Sequence, residues 1–464
     1  MEKPQLSRLT LLILIAACSH YLLVSVIIPP WEGQDEPMHY EYVEVVRSGY
    51  LPSFTLLRHE RWWNAVPRPV FVAIETAILT SMKEFRFWQI NELATPDQPI
   101  LFSAIFPGAT ALNQAPLYYL ICAGVVSLFP VTSVISGMYI CRLISLVFWL
   151  GTVYLTIKLA REYLGPGNPM SILPPILVII LPVPAMNACV VNNDSLAIFL
   201  ATTIIYVMVK ALKRGARLQD MFVVMVLSLL SLWTKRTTLS LIILILVFSV
   251  LSFIKLRGVS YLIKGAAIVV PLMLLTVFIL MSALTGPIDF SVPASSIKQA
   301  NTLTFFWNVS NQKMFFHYFI HSFWASFVWG HHFMATGDYL VLFGMMIVVL
   351  ISLMWRGIAV TQQSVEQHIL RYKILLLCIA AIGLQFGLVY VRFFFQIPTW
   401  NIAQGRFIFI ALAPLVLVLS CGLQQLIGTS HRKQGCVFLL LVFVVFEMYV
   451  QARYVLPQFY MYYY

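Results

Sequence analysis

The chain has 464 residues, of which 60% are hydrophobic and only 10% charged, with a mean hydropathy of +0.86. Soluble domains run at roughly 45–50% apolar and about 25% charged, so the composition excludes an ordinary soluble enzyme and points to a multi-span membrane protein. The formal charge of +12 is that of cytoplasmic loops collecting cations for topological reasons, and no nucleic-acid partner is expected.

In chain order, a first apolar run at 9–28 follows Lys3 and Arg8 in the manner of a signal peptide. It ends in Pro29-Pro30-Trp31 without a small-x-small cleavage site, which makes it a retained anchor. Further spans are expected at about 138–157, 171–191, 195–212, 219–234, 237–254, 265–285, 338–355, 374–394, 406–427 and 435–452, eleven in all with the first. The runs are too long for barrel strands and lack their alternation, so the class is an all-α integral membrane protein. Two weaker runs, 69–82 and 117–131, read as juxtamembrane helices, and counting them as crossings would make thirteen spans. The chain divides into an N-terminal module, 1–285, with a long outer loop at 29–137, and a C-terminal module, 286–464, with a second outer loop at 286–337. The seven cysteines lie in or at the ends of apolar runs and form no disulfide or zinc pattern.

Basic residues fix the expected orientation. With the N-terminus cytoplasmic, Lys3, Arg8, Lys158, Arg161, Lys210, Lys213, Arg214, Arg217 and the later Arg and Lys of alternate loops all fall inside. The carboxylates of the first outer loop, with Asp194, Asp289 and Asp338, gather on the opposite face.

Four polar constellations could carry chemistry. Asp35, Glu36 and His39 follow the first span, with Gly33 and Pro37 suited to a turn into a helix near Glu36; Asp35 and His39, four apart, approach one face. A carboxylate there can act as a general base or ligate a hard cation, or simply cap the helix. Asn193 and Asp194 form a polar cluster between two apolar runs, which reads equally as a tight turn with Asp194 as cap. Lys235 and Arg236 sit at the outer end of a span against the charge rule, where they could hold a phosphate or snorkel to headgroups. Gln404 and Arg406 open a later span, with Arg392 near the end of the one before. An Arg so placed needs an anionic ligand or a structural carboxylate; Arg142 raises the same question. The His317, His321, Ser322, Trp324, Trp329, His331 and His332 group of the second outer loop reads as an aromatic belt rather than a metal site.

Together, Gly33-Gln34-Asp35-Glu36-Pro37-x-His39, Asn113-Gln114-Ala115-Pro116-Leu117-Tyr118-Tyr119, Asn193-Asp194-Ser195, Thr234-Lys235, Ser322-Phe323-Trp324 and Gln404-Gly405-Arg406-Phe407 resemble a bacterial family of largely uncharacterised membrane proteins. That family in turn resembles the glycosyltransferase C superfamily. The resemblance implies a glycosyltransferase-C-like fold in a bacterial inner or plasma membrane. It implies an inverting transferase that takes a sugar from a polyprenyl-phosphate donor and passes it to a glycan, lipid or protein acceptor on the outer face. Asp35 matches the superfamily's acidic position in the first outer loop, its catalytic base or metal ligand, with Glu36 as neighbour. Asp194 matches a second acidic position, and the two carboxylates are the candidate ligands if Mg²⁺ or Mn²⁺ takes part. Ala115 departs from the pattern, where a second Pro is usual.

On this reading Asp35 accepts the proton of the acceptor hydroxyl, and Lys235, Arg236 and Arg406 stabilise the departing polyprenyl phosphate. Asn193, Asp194, His39 and Gln404 are expected to bind substrate. The competing expectations are a transporter or flippase of a lipid-linked or anionic substrate, and a polymerase or ligase of lipid-linked glycans.

Overall fold

The computed structural model describes residues 4–52, 66–90, 111–130, 133–253, 309–324, 326–327, 332–356, 365–395, 404–427 and 429–460. They form α1 (Pro4–Ile27), α2 (Glu36–Arg47), α3 (Arg68–Glu84), α4 (Leu117–Ser127), α5 (Val134–Leu164), α6 (Leu173–Ile180), α7 (Pro182–Ala188) and α8 (Asp194–Arg214). After these come α9 (Leu218–Leu232), α10 (Leu239–Phe253), α11 (Val309–Trp324), α12 (Thr336–Arg356), α13 (Val365–Phe395), α14 (Leu412–Leu426) and α15 (Arg432–Val450). Only Ser326–Phe327 and His332–Phe333 pair as strands among the described residues, antiparallel and two residues each.

Among the described residues, six segments are long and apolar enough to cross a membrane: Arg8–Ile27, Val134–Leu164, Asp194–Arg214, Ile369–Phe393, Gly405–Leu426 and Arg432–Tyr460. All six fall on expected spans, and they make the chain an all-α integral membrane protein. The expected span at 171–191 is broken into Pro169–Ile180 and Pro182–Ala188, bent by 64°. The cause is local, because Pro182 disfavours the helical conformation for the residue before it, and Leu181 sits extended at φ −65°, ψ 124°. The runs at 219–234, 237–254 and 338–355 contain shorter apolar helices, and 265–285 lies outside the described residues. At 117–131 the chain forms the 11-residue α4, about 16 Å long and so too short to cross a hydrocarbon core of ~30 Å.

Two apolar clusters hold the helices together. The larger runs from Ile13 to Phe459 and so joins residues on both sides of the division expected at 285/286. The smaller, with Trp31, Tyr40, Tyr42, Tyr118, Tyr119 and Met138, packs α2, α3 and α4 over the first turns of α5.

A buried clamp fixes where these parts meet. Arg142, two turns into α5, donates Nε and Nη2 to Glu36 Oε1 and Oε2 at 2.8 and 2.6 Å. Its remaining donors take the carbonyls of Ser25, Ile28 and Pro29, each at 3.0 Å. A cation therefore closes the C-terminal end of α1 while an anion opens α2, and both suit the helix dipoles. Glu36 Oε1 also accepts the Val191 N–H at 2.9 Å, tying in the segment before α8. Gly33 is required here, since a Cβ would lie 2.5 Å from Val190 Cγ1 and 3.0 Å from Glu36 Oε2.

Candidate functional site

The clamp sets Asp35 at the rim of a polar cluster where α1, α9 and α13 end and α5, α8 and α10 begin. Asp35 holds a left-handed backbone (φ 60°, ψ 10°) at the N-cap of α2, yet its side chain makes no cap bond. Its Oδ2 instead accepts from Arg406 Nη2 at 2.6 Å. Asp35 is also the member that solvent reaches: its side chain is 35% exposed, against 8% for Arg406.

Asp194 opens α8 but does not cap it. Asn192 Oδ1 takes the Asp194 N–H at 2.9 Å, and the Asp194 carboxylate is ion-paired through Oδ1 to Lys235 Nζ in a buried contact. Asn193 Nδ2 donates to Gln114 Oε1 at 3.0 Å and to the Thr234 carbonyl at 3.1 Å. His39 Nδ1 lies 2.7 Å from Tyr119 Oη, and Tyr119 stacks on Tyr42 with centroids 4.0 Å apart. Gln34 Nε2 donates to Gln404 Oε1 at 3.3 Å. Gly405 N–H donates to Ser322 Oγ at 2.6 Å, bringing in the end of α11. All six sequence segments singled out above thus converge on one place.

Phe407 lies among cations. Lys235 Nζ is 5.5 Å from its ring centroid, and the guanidinium carbons of Arg392 and Arg406 are each 5.4 Å away. Arg236 stands apart, exposed and donating to the Asn113 carbonyl at 3.2 Å. Glu36, expected beside Asp35 in the chemistry, is placed instead as a strut, fully buried with both oxygens held by Arg142.

The charges respond to burial and to each other. Burial alone would raise the Asp35 carboxyl, but Arg406, with His39 and Lys235, outweighs it and holds the group below its ordinary value. Burial pulls His39 down to about 4, against the pull of Asp35, so its ring is neutral near neutral pH. Burial also lowers Lys235, with Arg406 adding to it and Asp194 opposing.

Among the described residues, several atoms at the cluster are buried without a hydrogen-bond partner: Arg406 Nε and Nη1, Asp194 Oδ2, Asn193 Oδ1 and Asn192 Nδ2. Each such group costs about 1–3 kcal/mol if left unmade, and a concentration of them marks a place built to receive a polar ligand or water.

Asp35 and Asp194 each give one carboxylate oxygen to a cationic side chain, Arg406 and Lys235 respectively. No three His, Cys, Asp or Glu side chains converge as metal ligands among the described residues. In the second loop His321 Nδ1 contacts the His317 carbonyl at 2.6 Å, while Trp329 and His331 lie outside the described residues.

Sequence reasoning passed over Gln34, Gln114, Tyr119, Asn192 and Ser322 as site residues. The first three and Ser322 lay inside the singled-out segments, but their pairings join segments far apart in the chain and leave no local signal. Arg142 was legible only as a costly cation in search of a partner.

The helices and this site define a polytopic integral membrane protein with a charged cluster at one end of its bundle. The family described as predicted membrane protein (DUF2142) matches residues 19–418, and the chain belongs to it. No curated protein matches the chain.

Proposed function

We propose that the protein is a membrane glycosyltransferase of glycosyltransferase-C type, moving a sugar with inversion from a polyprenyl-phosphate donor to an acceptor on the extracytoplasmic face. The observation that carries the reading is Asp35, a solvent-reached carboxylate fixed at 2.6 Å from Arg406, beside the buried Lys235–Asp194 pair. The distribution of basic residues over alternate loops supports a cytoplasmic N-terminus and a site on the outer face of a bacterial inner membrane.

The acceptor oxygen attacks the anomeric carbon as Asp35 takes its proton; the bond from that carbon to the phosphate oxygen breaks, and its electron pair leaves with the polyprenyl phosphate. Arg406 and Lys235 stabilise the charge released there, with Arg392 behind Phe407 and Arg236 at the rim. Asp194 and Asn193 offer buried acceptors to sugar hydroxyls. Neutral His39, steadied by Tyr119, and Gln404, steadied by Gln34, complete the walls.

The transporter reading draws on one observation: His20 on α1 and Glu447 on α15 pair at 3.7 Å within spans, away from the cluster. The test of both is transfer of radiolabelled sugar from a panel of polyprenyl-phosphate sugars in proteoliposomes, with and without Mg²⁺, Mn²⁺ or chelator. Transfer that falls by roughly 10²–10⁴-fold in Asp35→Asn is expected of a lost general base. Unchanged transfer in that variant would remove Asp35 from the role, and label crossing without transfer would favour the transporter.

A further inference from the structure

Arg406 is more than nine-tenths buried, yet among the described residues it spends only one of its three nitrogens: Nη2 holds Asp35, while Nε and Nη1 have no partner there. Guanidinium geometry makes this arrangement informative. A two-point contact with an oxyanion uses either the Nε and Nη2 edge or the Nη1 and Nη2 edge. Both edges include Nη2, whose two N–H groups serve one edge each, and Asp35 takes one of the two. A phosphate that takes either edge therefore brings a second anion onto that nitrogen, against the repulsion of the Asp35 carboxylate.

The surroundings favour the exchange. Asp194 is matched by Lys235, and Arg392 brings a further cation to the opposite interaction with Phe407, so three cations face two carboxylates before a ligand arrives. Asp35 is the more accessible of the two, its side chain 35% exposed, whereas buried Arg406 is held by the Gly405 N–H to Ser322 bond next to it in the chain.

We propose that Arg406 is a latch: the donor's phosphate takes a two-point edge of its guanidinium and, by repulsion across the shared Nη2, displaces Asp35, so that the carboxylate is released to act as base only when donor is in place. The proposal rests on the reading above that the site receives a polyprenyl phosphate, and it adds the order in which the site becomes competent. It accounts for a base held by a cation in the resting protein, which would otherwise blunt its proton affinity. It also gives the unpartnered Nε and Nη1 their use.

The test measures equilibrium binding of radiolabelled undecaprenyl phosphate, which carries no sugar to transfer, to the full chain in nanodiscs. Arg406→Gln and Arg406→Lys, the latter lacking a two-point edge, are each expected to lose roughly tenfold or more in affinity. Asp35→Asn is expected to bind several-fold more tightly than wild type, because the competitor for Nη2 is gone. That gain should vanish when Asp35→Asn is combined with Arg406→Gln, the non-additivity expected of groups in contact. Asp35→Ser provides a second variant, and monodisperse elution with an unchanged melting temperature identifies the folded ones. Saturable wild-type binding that Asp35→Asn and Asp35→Ser leave unchanged or weaken would overturn the latch and leave the donor reading standing. Absence of saturable wild-type binding would overturn both.

Discussion

Arg142 closes on Glu36 in a two-point contact of 2.6 and 2.8 Å, with both side chains almost wholly withdrawn from solvent, across 106 residues of sequence. The pair joins the end of α1 to the start of α2 and so sets the position of Asp35, the residue next to Glu36. It explains how a cation in a membrane-spanning helix is tolerated: every donor it presents is met by a carboxylate or a helix-end carbonyl.

Removing one partner leaves a buried charge uncompensated, at a cost of about 3–5 kcal/mol. Glu36→Gln and Arg142→Met are each expected to lower the thermal unfolding midpoint of the detergent-solubilised protein strongly. The double variant should recover part of the loss, since no lone charge remains. Single variants as stable as wild type would show that the clamp does not hold α1 to α2.

Gly405 has backbone on its open side. A Cβ there would meet the Phe319 carbonyl and lie 2.6 Å from both the Phe323 N and Cβ, atoms of α11 that cannot swing away. Gly405→Ala is expected to cost about 1–3 kcal/mol through overpacking and to shift Arg406 from Asp35. Sugar transfer should fall with it while the chain still inserts in the membrane; full transfer would show that the contact with α11 does not position Arg406.

Glu41 on α2 and Glu75 on α3 are both 2% exposed. Burial raises the Glu41 carboxyl well above its ordinary value of 4.5, and its hydrogen bond and proximity to Glu75 add to the rise. A carboxyl raised in the folded state contributes stability that is complete below its unfolded value and is lost as pH rises through the folded one. The wild type is therefore expected to lose stability as pH climbs above about 4.5 towards alkaline values. Glu41→Gln, which keeps a donor for Glu75 at every pH, should flatten that decline, read as melting temperature against pH. Parallel slopes for the two proteins would show that this pair carries no shared proton.

His39 works with the opposite sign. Its folded value, about 4, lies below the ordinary 6.5, so an unfolded chain binds the extra proton first and acidification from 6.5 towards 4 destabilises the protein. His39→Gln should lose that acid-side slope and keep the alkaline one, which separates the two groups in a single pH series.

The sequence by itself determined the solvent. At 60% apolar and 10% charged, with runs of about 20 residues, membrane helices follow from the need to satisfy every backbone group without water. It also determined the helix start at Glu36 and the six polar segments, because a polar group beside an apolar run stands out locally; the reading of 117–131 as non-crossing rested on the parity of the basic loops, and its 11-residue helix came from the structure. The break at Leu181 was written in Pro182 but hidden by the apolarity of 171–191. Only the tertiary structure decided the partners: Asp35 to Arg406 over 371 positions, Asp194 to Lys235 over 41, Glu36 to Arg142 rather than to the chemistry. Asp194 read as a helix cap, whereas its carboxylate turns to Lys235 and leaves α8 without a side-chain cap. Local patterns report which residues cannot face lipid, whereas an ion pair depends on which helix ends are brought side by side, and packing alone sets that.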